Sequence, residues 1–211
     1  PGASEVRTSQ EAPRVDAVVV VDCASVTRAG THAPLVEALS DACVVVDHHA
    51  TNPGFGAVNL IDVGAESTTT VLLSWFKHMG IHMDTPLATA LYAGLVTDTG
   101  NFRWGSPAMH TMAAELIGLG VDTRATTAAL MDERSVEDLA LIGKVLQRVE
   151  RIIGEKTTIV AIFADYDVIA DEDPSMVESM VTFVCSPKDA QVGALFKEYA
   201  PGVWSVSLRS S

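Results

Sequence analysis

Cysteine and positive charge are both scarce in this chain of 211 residues. Its three cysteines, Cys23, Cys43 and Cys185, are far apart and form no CxxC pair, which argues against a disulfide framework and against a structural zinc site. The chain has only 14 Lys and Arg residues but 27 Asp and Glu residues, which gives a formal net charge of -13. Non-specific duplex binding depends on basic side chains that neutralise phosphates. We therefore expect no duplex nucleic acid as a partner.

Long apolar runs are also scarce in these 211 residues. No apolar stretch approaches the ~20 residues that span a bilayer, and no secretory signal pattern opens the chain. We therefore expect a cytoplasmic protein with no membrane partner. Hydrophobic residues still make up 48% of the chain, which is ample material for a folded core.

The spacing of the apolar residues predicts alternating strands and helices, followed by a strand-rich segment. Predicted strands cover residues 15–22, 42–47, 57–62, 157–163, 191–199 and 203–208, and predicted helices cover 32–41, 68–79, 107–118, 135–151 and 174–182, with two more that begin at Pro86 and after Asp122. The helix at 135–151 has apolar residues at helical spacing and charges on its other face, which is typical of a connecting helix.

This order of elements predicts an α/β fold. We expect a parallel-sheet domain with flanking helices at residues 1–133, a connecting helix at 134–152, and a smaller, incomplete α+β domain at 153–211.

Acidic and imidazole side chains stand where three apolar segments end. Asp22 follows a run of four valines, Asp47-His48-His49 follows Cys43-Val44-Val45-Val46, and Asp98 opens a loop that contains Gly100. Ligand sites of open α/β sheets lie beyond the carboxyl ends of the strands. Each acid alone is more often an ordinary loop or capping residue, but a carboxylate and two imidazoles packed together favour a ligand or a metal.

The order of these motifs resembles the DHH phosphoesterase family. The extended run from Asp47 to Gly56 is similar to the branch of bacterial nanoRNases and 3′-phosphoadenosine 5′-phosphate (pAp) phosphatases, relatives of the RecJ exonucleases, and residues 65–68 and 100–103 agree with it. The resemblance implies a metal-dependent phosphohydrolase of short nucleotides, such as oligoribonucleotides, pAp, or linear and cyclic dinucleotides. Family analogy extends to a homodimer.

The resemblance also implies roles for individual residues. Asp22 would bridge two metal ions, and His48 and Asp98 would complete the coordination of the second. His49 would face the substrate phosphate, and Asp47 would orient a ligating imidazole. Two divalent ions in such a site activate a water molecule and clamp the phosphoryl group.

The sequence defines the identity of the metal ion and the residues that contact the phosphate less closely than it defines the metal ligands. Carboxylate and imidazole ligands without a thiolate suit Mn²⁺, and Mg²⁺ or Co²⁺ would accept the same ligands. Arg103 follows the Asp98 loop and is a candidate for substrate binding, with a surface arginine as the equally weighted alternative.

Two family features are absent from these 211 residues. One is an N-terminal His-x-x-Pro-Asp-x-Asp motif upstream of the Asp22 segment, and the other is a Gly-rich, His-containing substrate loop near the C-terminus. We therefore expect the central portion of a longer enzyme, inactive as an isolated piece. The alternatives are an inorganic pyrophosphatase or exopolyphosphatase of the same superfamily, and a non-catalytic nucleotide-sensing domain.

Overall fold

The computed structural model describes residues 14–132, 134–184 and 190–210. Cys185 and the first 13 residues of the predicted N-terminal domain lie outside this described part. Two compact units divide the chain between residues 133 and 134. Each unit has its own sheet and its own core.

The first unit contains a three-stranded parallel sheet. Strands β1 (Val18–Val21), β2 (Cys43–Asp47) and β3 (Val58–Ile61) lie side by side in that order. Val18 pairs with Cys43 and Val44 pairs with Val58. Because the strands are parallel, their carboxyl ends, with Asp22 and Asp47, lie at the same edge of the sheet.

The helices of the first unit are α1 (Ala33–Ala38), α2 (Thr68–His78), α3 (Thr85–Asp98), α4 (Pro107–Gly118) and α5 (Thr123–Thr127), with 3-10 turns at Val26–His32 and Ser40–Ala42 and a π-helical turn at Ala128–Asp132. Side-chain oxygens of Ser67, Asp84 and Ser106 accept hydrogen bonds from backbone N–H groups in the first turns of α2, α3 and α4. These caps explain why the helices begin where the sequence predicts. Leu73, Leu95 and other buried side chains of α2, α3 and α4 form one continuous core.

The second unit contains a mixed four-stranded sheet. Strands β4 (Val149–Ile153), β5 (Thr158–Ala164), β6 (Val192–Ala200) and β7 (Val203–Ser210) lie in that order. The β5–β6 pair is parallel, and the other two pairs are antiparallel. The hairpin of β6 and β7 confirms the prediction, and Gly202 takes a positive φ of 76° in its turn, which glycine adopts readily.

The helices of the second unit are α6 (Val136–Leu146), α7 (Tyr166–Ile169) and α8 (Pro174–Ser179), followed by a 3-10 turn at Met180–Val184. Leu141, Ile142 and Val145 of α6 pack with Ile162 and Leu195 of the sheet in one core. The 3-10 turn approaches so closely that a Cβ at Gly193 would lie 2.1 Å from the carbonyl oxygen of Val184. Only glycine fits there.

The predicted connecting helix at 134–152 needs correction. The helix ends at Leu146, and residues 149–153 form β4, paired antiparallel with β5. The β-branched residues Val149, Ile152 and Ile153 suit a strand better than a helix, and α6 packs into the core of the second unit. The broader prediction of an α/β fold with a parallel-sheet unit and an α+β unit is confirmed. Within the described residues, no helix is both long enough and apolar enough to cross a bilayer.

Candidate metal centre

Three segments of the first unit bring the predicted site residues together. Asp22 follows β1, Asp47 is the last residue of β2 and leads directly into His48 and His49, and Asp98 is the last residue of α3. The backbone N–H of Asp22 donates to the carbonyl of Val46 at 3.1 Å, so the register of β1 on β2 continues up to the site.

The side chains of Asp22, His48 and His49 each present a ligand atom within 4.8 Å of the others. His48 Nε2 lies 3.7 Å from Asp22 Oδ1 and 3.9 Å from Asp98 Oδ2. These separations are too long for hydrogen bonds. With metal–ligand distances of about 2.1 Å, ligands of one divalent ion lie roughly 3–4 Å apart, so this donor set fits such an ion.

A backbone carbonyl fixes the ring of His48. Its Nδ1 lies 3.2 Å from the carbonyl oxygen of Ala65, an acceptor that assigns the proton to Nδ1. The lone pair then belongs to Nε2, the atom that faces Asp22 and Asp98. A hydrogen bond of this kind is the usual way in which a protein selects the tautomer of a ligating histidine.

Asp47 is fully buried and orients His49 rather than His48. Its Oδ1 accepts from His49 Nδ1 at 2.7 Å, and from the backbone N–H groups of His48 and His49 at 2.8 Å and 3.3 Å. Asn52 donates to Oδ2 at 2.6 Å. Burial alone would raise the pKa of Asp47, but these hydrogen bonds outweigh it and lower the pKa, so the carboxylate stays ionised. The sequence predicted that Asp47 orients a ligating imidazole, whereas its side chain contacts the imidazole predicted to face the substrate.

Asp98 has the opposite electrostatic environment. Burial and then the negative charge of Asp22 raise its pKa, and the nearby imidazoles of His48 and His49 offset this only in part. A bound cation would neutralise the neighbouring carboxylates of Asp22 and Asp98, whose repulsion the imidazoles offset only in part. The pKa shift thus agrees with the distances in indicating a place for a divalent ion.

The loop after Asp98 is built around an aromatic ring. The indole Nε1 of Trp104 donates to the carbonyl oxygen of Asp98 at 2.9 Å. A Cβ at Gly100 would lie 2.3 Å from the same ring, so glycine makes room for it. Trp104 remains 58% exposed, and its neighbour Arg103, the predicted substrate contact, is also exposed.

Two polar residues at the site carry no role in the sequence prediction. Thr68 donates its hydroxyl proton to Asp22 Oδ1 at 2.8 Å. Asn52 joins two segments, because the amide that donates to Asp47 also donates to the carbonyl oxygen of Cys23 at 3.1 Å. Both residues lie in the runs that carry the family resemblance, and that position is the one sequence signal that could have found them.

Curated relatives and a solved structure resemble this chain. It is 30% identical over 167 residues to the bifunctional oligoribonuclease and PAP phosphatase NrnA of Thermus thermophilus, covering 78% of this chain and 49% of that protein. It is 26% identical over 172 residues to the probable bifunctional oligoribonuclease and PAP phosphatase NrnA of Streptococcus mutans, covering 79% and 54%. The chain therefore spans about half the length of these relatives.

The fold matches a crystal structure of an exopolyphosphatase-related protein from Bacteroides fragilis. The TM-score is 0.83 at 20% identity, over 93% of this chain and 58% of that one. At this identity the match supports the fold alone. None of the family models searched matches the chain.

Proposed function

We propose that this chain is part of a metal-dependent phosphohydrolase of short nucleotides. The premise is that the chain belongs to the DHH phosphoesterase family and to its nanoRNase-like branch. The substrates would be oligoribonucleotides of a few residues, pAp, or linear and cyclic dinucleotides. The proposal extends to a cytoplasmic enzyme and, by analogy with the family, to a homodimer.

The observation that carries this proposal is the cluster of Asp22, His48 and His49 beside Asp98, at the carboxyl ends of parallel strands. Its oxygen and nitrogen donors suit Mn²⁺. When bound, divalent ions would supply charge neutralisation at the phosphoryl oxygens and a water molecule of lowered pKa. Asp22, His48 and Asp98 would hold them.

His49 would act on the substrate itself. Its Nδ1 proton is held by Asp47 Oδ1 at 2.7 Å, which leaves Nε2 available to a substrate. The hydrogen bond from Nδ1 to the buried Asp47 fixes the orientation of the ring. Nε2 would then face the phosphoryl group and position it, as preorganised polar groups do where charge develops in a reaction.

Local cations would complete phosphate binding. Arg103 follows the Asp98 loop and is exposed, and a guanidinium binds phosphate in a bidentate manner. The net charge of -13 opposes long polyanions, whose binding needs many basic contacts. A short substrate with one or two phosphates needs only a few.

The test is Mn²⁺-dependent release of phosphate or mononucleotide from pAp, a short RNA and a cyclic dinucleotide, compared with pyrophosphate and polyphosphate. We expect turnover of a nucleotide when this chain is joined to the N-terminal motif that the family resemblance calls for, and loss of that turnover in Asp98→Ala, with Thr70→Val as a folded control outside the cluster. Turnover of pyrophosphate or polyphosphate instead would favour the superfamily alternative. Tight nucleotide binding without turnover would favour a sensing domain, and neither binding nor turnover would overturn the proposal.

A further inference from the structure

The backbone of Asp22 is strained. Its φ is +54° although it is not a glycine, and residues held in this left-handed region persist only where their surroundings fix them. The hydrogen bond from Asp22 N–H to Val46 fixes the backbone on one side. The carboxylate itself, which is exposed to 55%, needs a separate partner to keep one orientation.

That partner is Thr68. Its hydroxyl donates to Asp22 Oδ1 at 2.8 Å, and its residue is only 4% exposed. The same Oδ1 lies 3.7 Å from His48 Nε2 and 3.9 Å from His49 Nδ1. Because a carboxylate oxygen has two lone pairs, one can accept from Thr68 while the other remains available to a cation.

Thr68 is well placed to act as a fixed donor. It is the first residue of α2, directly after the N-cap Ser67, whose side chain accepts from the N–H of Thr70. Three residues earlier, the carbonyl of Ala65 accepts from the ring of His48. One short segment, residues 65–68, therefore orients two neighbouring donors of the candidate metal centre.

We propose that Thr68 is a positioning residue that holds the carboxylate of Asp22 in the orientation that binds a divalent cation. This inference rests on the metal binding in the proposed function. Hydrogen bonds to ligating carboxylates are worth about 10–100-fold in metal affinity. The hydroxyl of Thr68 is the group that would supply this contribution for Asp22.

Three variants test the hydroxyl directly. Thr68→Val keeps the shape and removes the hydroxyl, Thr68→Ser keeps the hydroxyl, and Thr70→Val makes the same change two residues away, where the hydroxyl contacts only Ser67 among the described residues. Calorimetric titration with Mn²⁺ alone should give about 10–100-fold weaker binding for Thr68→Val. Thr68→Ser and Thr70→Val should bind as the parent does, and circular dichroism would check that all three fold.

A metal-free measurement separates this inference from the proposed function. In a crystal structure of metal-free Thr68→Val, we expect Asp22 Oδ1 to leave its position near His48 Nε2. Parental Mn²⁺ affinity in Thr68→Val, equal loss in Thr68→Ser, or an unmoved Asp22 would each overturn the positioning role. If the parent binds no Mn²⁺ but Asp22 moves in the variant, the metal binding of the proposed function is overturned, and Thr68 orients Asp22 for a role other than cation binding.

Discussion

Both units of this protein hold carboxylates among polar partners, but only the network of the second unit contains a Lys or Arg side chain among the described residues. In the second unit, Glu178 of α8 pairs with Lys197 of β6, and Ser207 of β7 donates to Glu178 at 2.7 Å and accepts from Lys197 at 2.8 Å. Lys197 is 3% exposed. In the first unit, the carboxylates of Asp22, Asp47 and Asp98 lie near the imidazoles of His48 and His49. Among the described residues, no Lys or Arg side chain contacts these carboxylates.

The pKa values reflect this difference. Burial would raise the pKa of Glu178, but the hydrogen bonds and charge of Lys197, with Ser207, lower it. The pKa of Asp98 is raised by burial and by Asp22. A network that neutralises itself holds the fold together, whereas one left short of positive charge has a place for a ligand.

Breaking the self-neutralised network should have the largest effect on stability. Glu178→Leu leaves the buried ammonium of Lys197 without its counter-charge, and we expect the second unit to lose about 3 kcal/mol of unfolding free energy. Hydrogen exchange of the β6 amides in a urea series would measure it, since a chain of two units need not unfold in one step. The double variant Glu178→Leu with Lys197→Met should recover most of the loss. A single variant as stable as the parent would show that Lys197 does not depend on Glu178.

Adding a divalent cation should stabilise only the first unit. At Mn²⁺ concentrations about 100 times the dissociation constant, binding to the folded state adds about 2.7 kcal/mol. Exchange of the most protected β2 amides should slow by about 100-fold, while β6 amides exchange unchanged. Asp22→Ala should abolish the effect. Equal slowing in both units would contradict a cation site confined to the first.

Acid should remove the contribution of Glu178. Because its folded pKa lies below its unfolded value of about 4.3, the stabilisation is present above that value and disappears as pH falls through the folded pKa. We expect the β6 amides to lose protection below about pH 4. In Glu178→Gln this particular loss should be absent. An identical acid profile in the variant would assign the pH dependence to other carboxylates.

Removing a negative charge from the first unit should raise its unfolding free energy slightly, whereas Glu178→Leu lowers that of the second unit. Asp98→Asn relieves repulsion with Asp22, so the cation-free first unit should gain about 0.5 kcal/mol at neutral pH. The stabilisation of the first unit by Mn²⁺ should be smaller in this variant, because a candidate ligand is lost. The charge-matched control is Asp41→Asn, because Asp41 is exposed and lies just before the amino end of β2. Destabilisation by Asp98→Asn would show that the cluster is not short of positive charge.

Local patterns were enough to predict much of the fold. Valine runs that end in Asp22 and Asp47 predicted two strands with acids at their carboxyl ends, and both strands are present. Ser106-Pro107 predicted the start of α4, and Pro201-Gly202 predicted the turn between β6 and β7. Each of these signals acts within a few residues, so sequence alone carries it.

The prediction failed where pairing with the next strand decides the structure. The amphipathic pattern at 135–151 continues past Leu146, but residues 149–153 pair with β5 instead. The amphipathic pattern does not register this hairpin, and the β-branched residues of 149–153 favour the strand pairing over a helix. The roles predicted for Asp22, His48, Asp98, His49, Asp47 and Arg103 remain predictions, with the difference that Asp47 contacts the ring of His49.

By itself, the sequence determined which residue types end the strands, where the capped helices begin, and that acids and imidazoles outnumber cations at the candidate site. Only the tertiary structure decided their partners. Thr68 reaches Asp22 across 46 positions, and Lys197 reaches Glu178 across 19. Such pairs depend on how helices pack on sheets, because a hydrogen bond requires atoms within about 3 Å and no local periodicity encodes which distant residue comes that close.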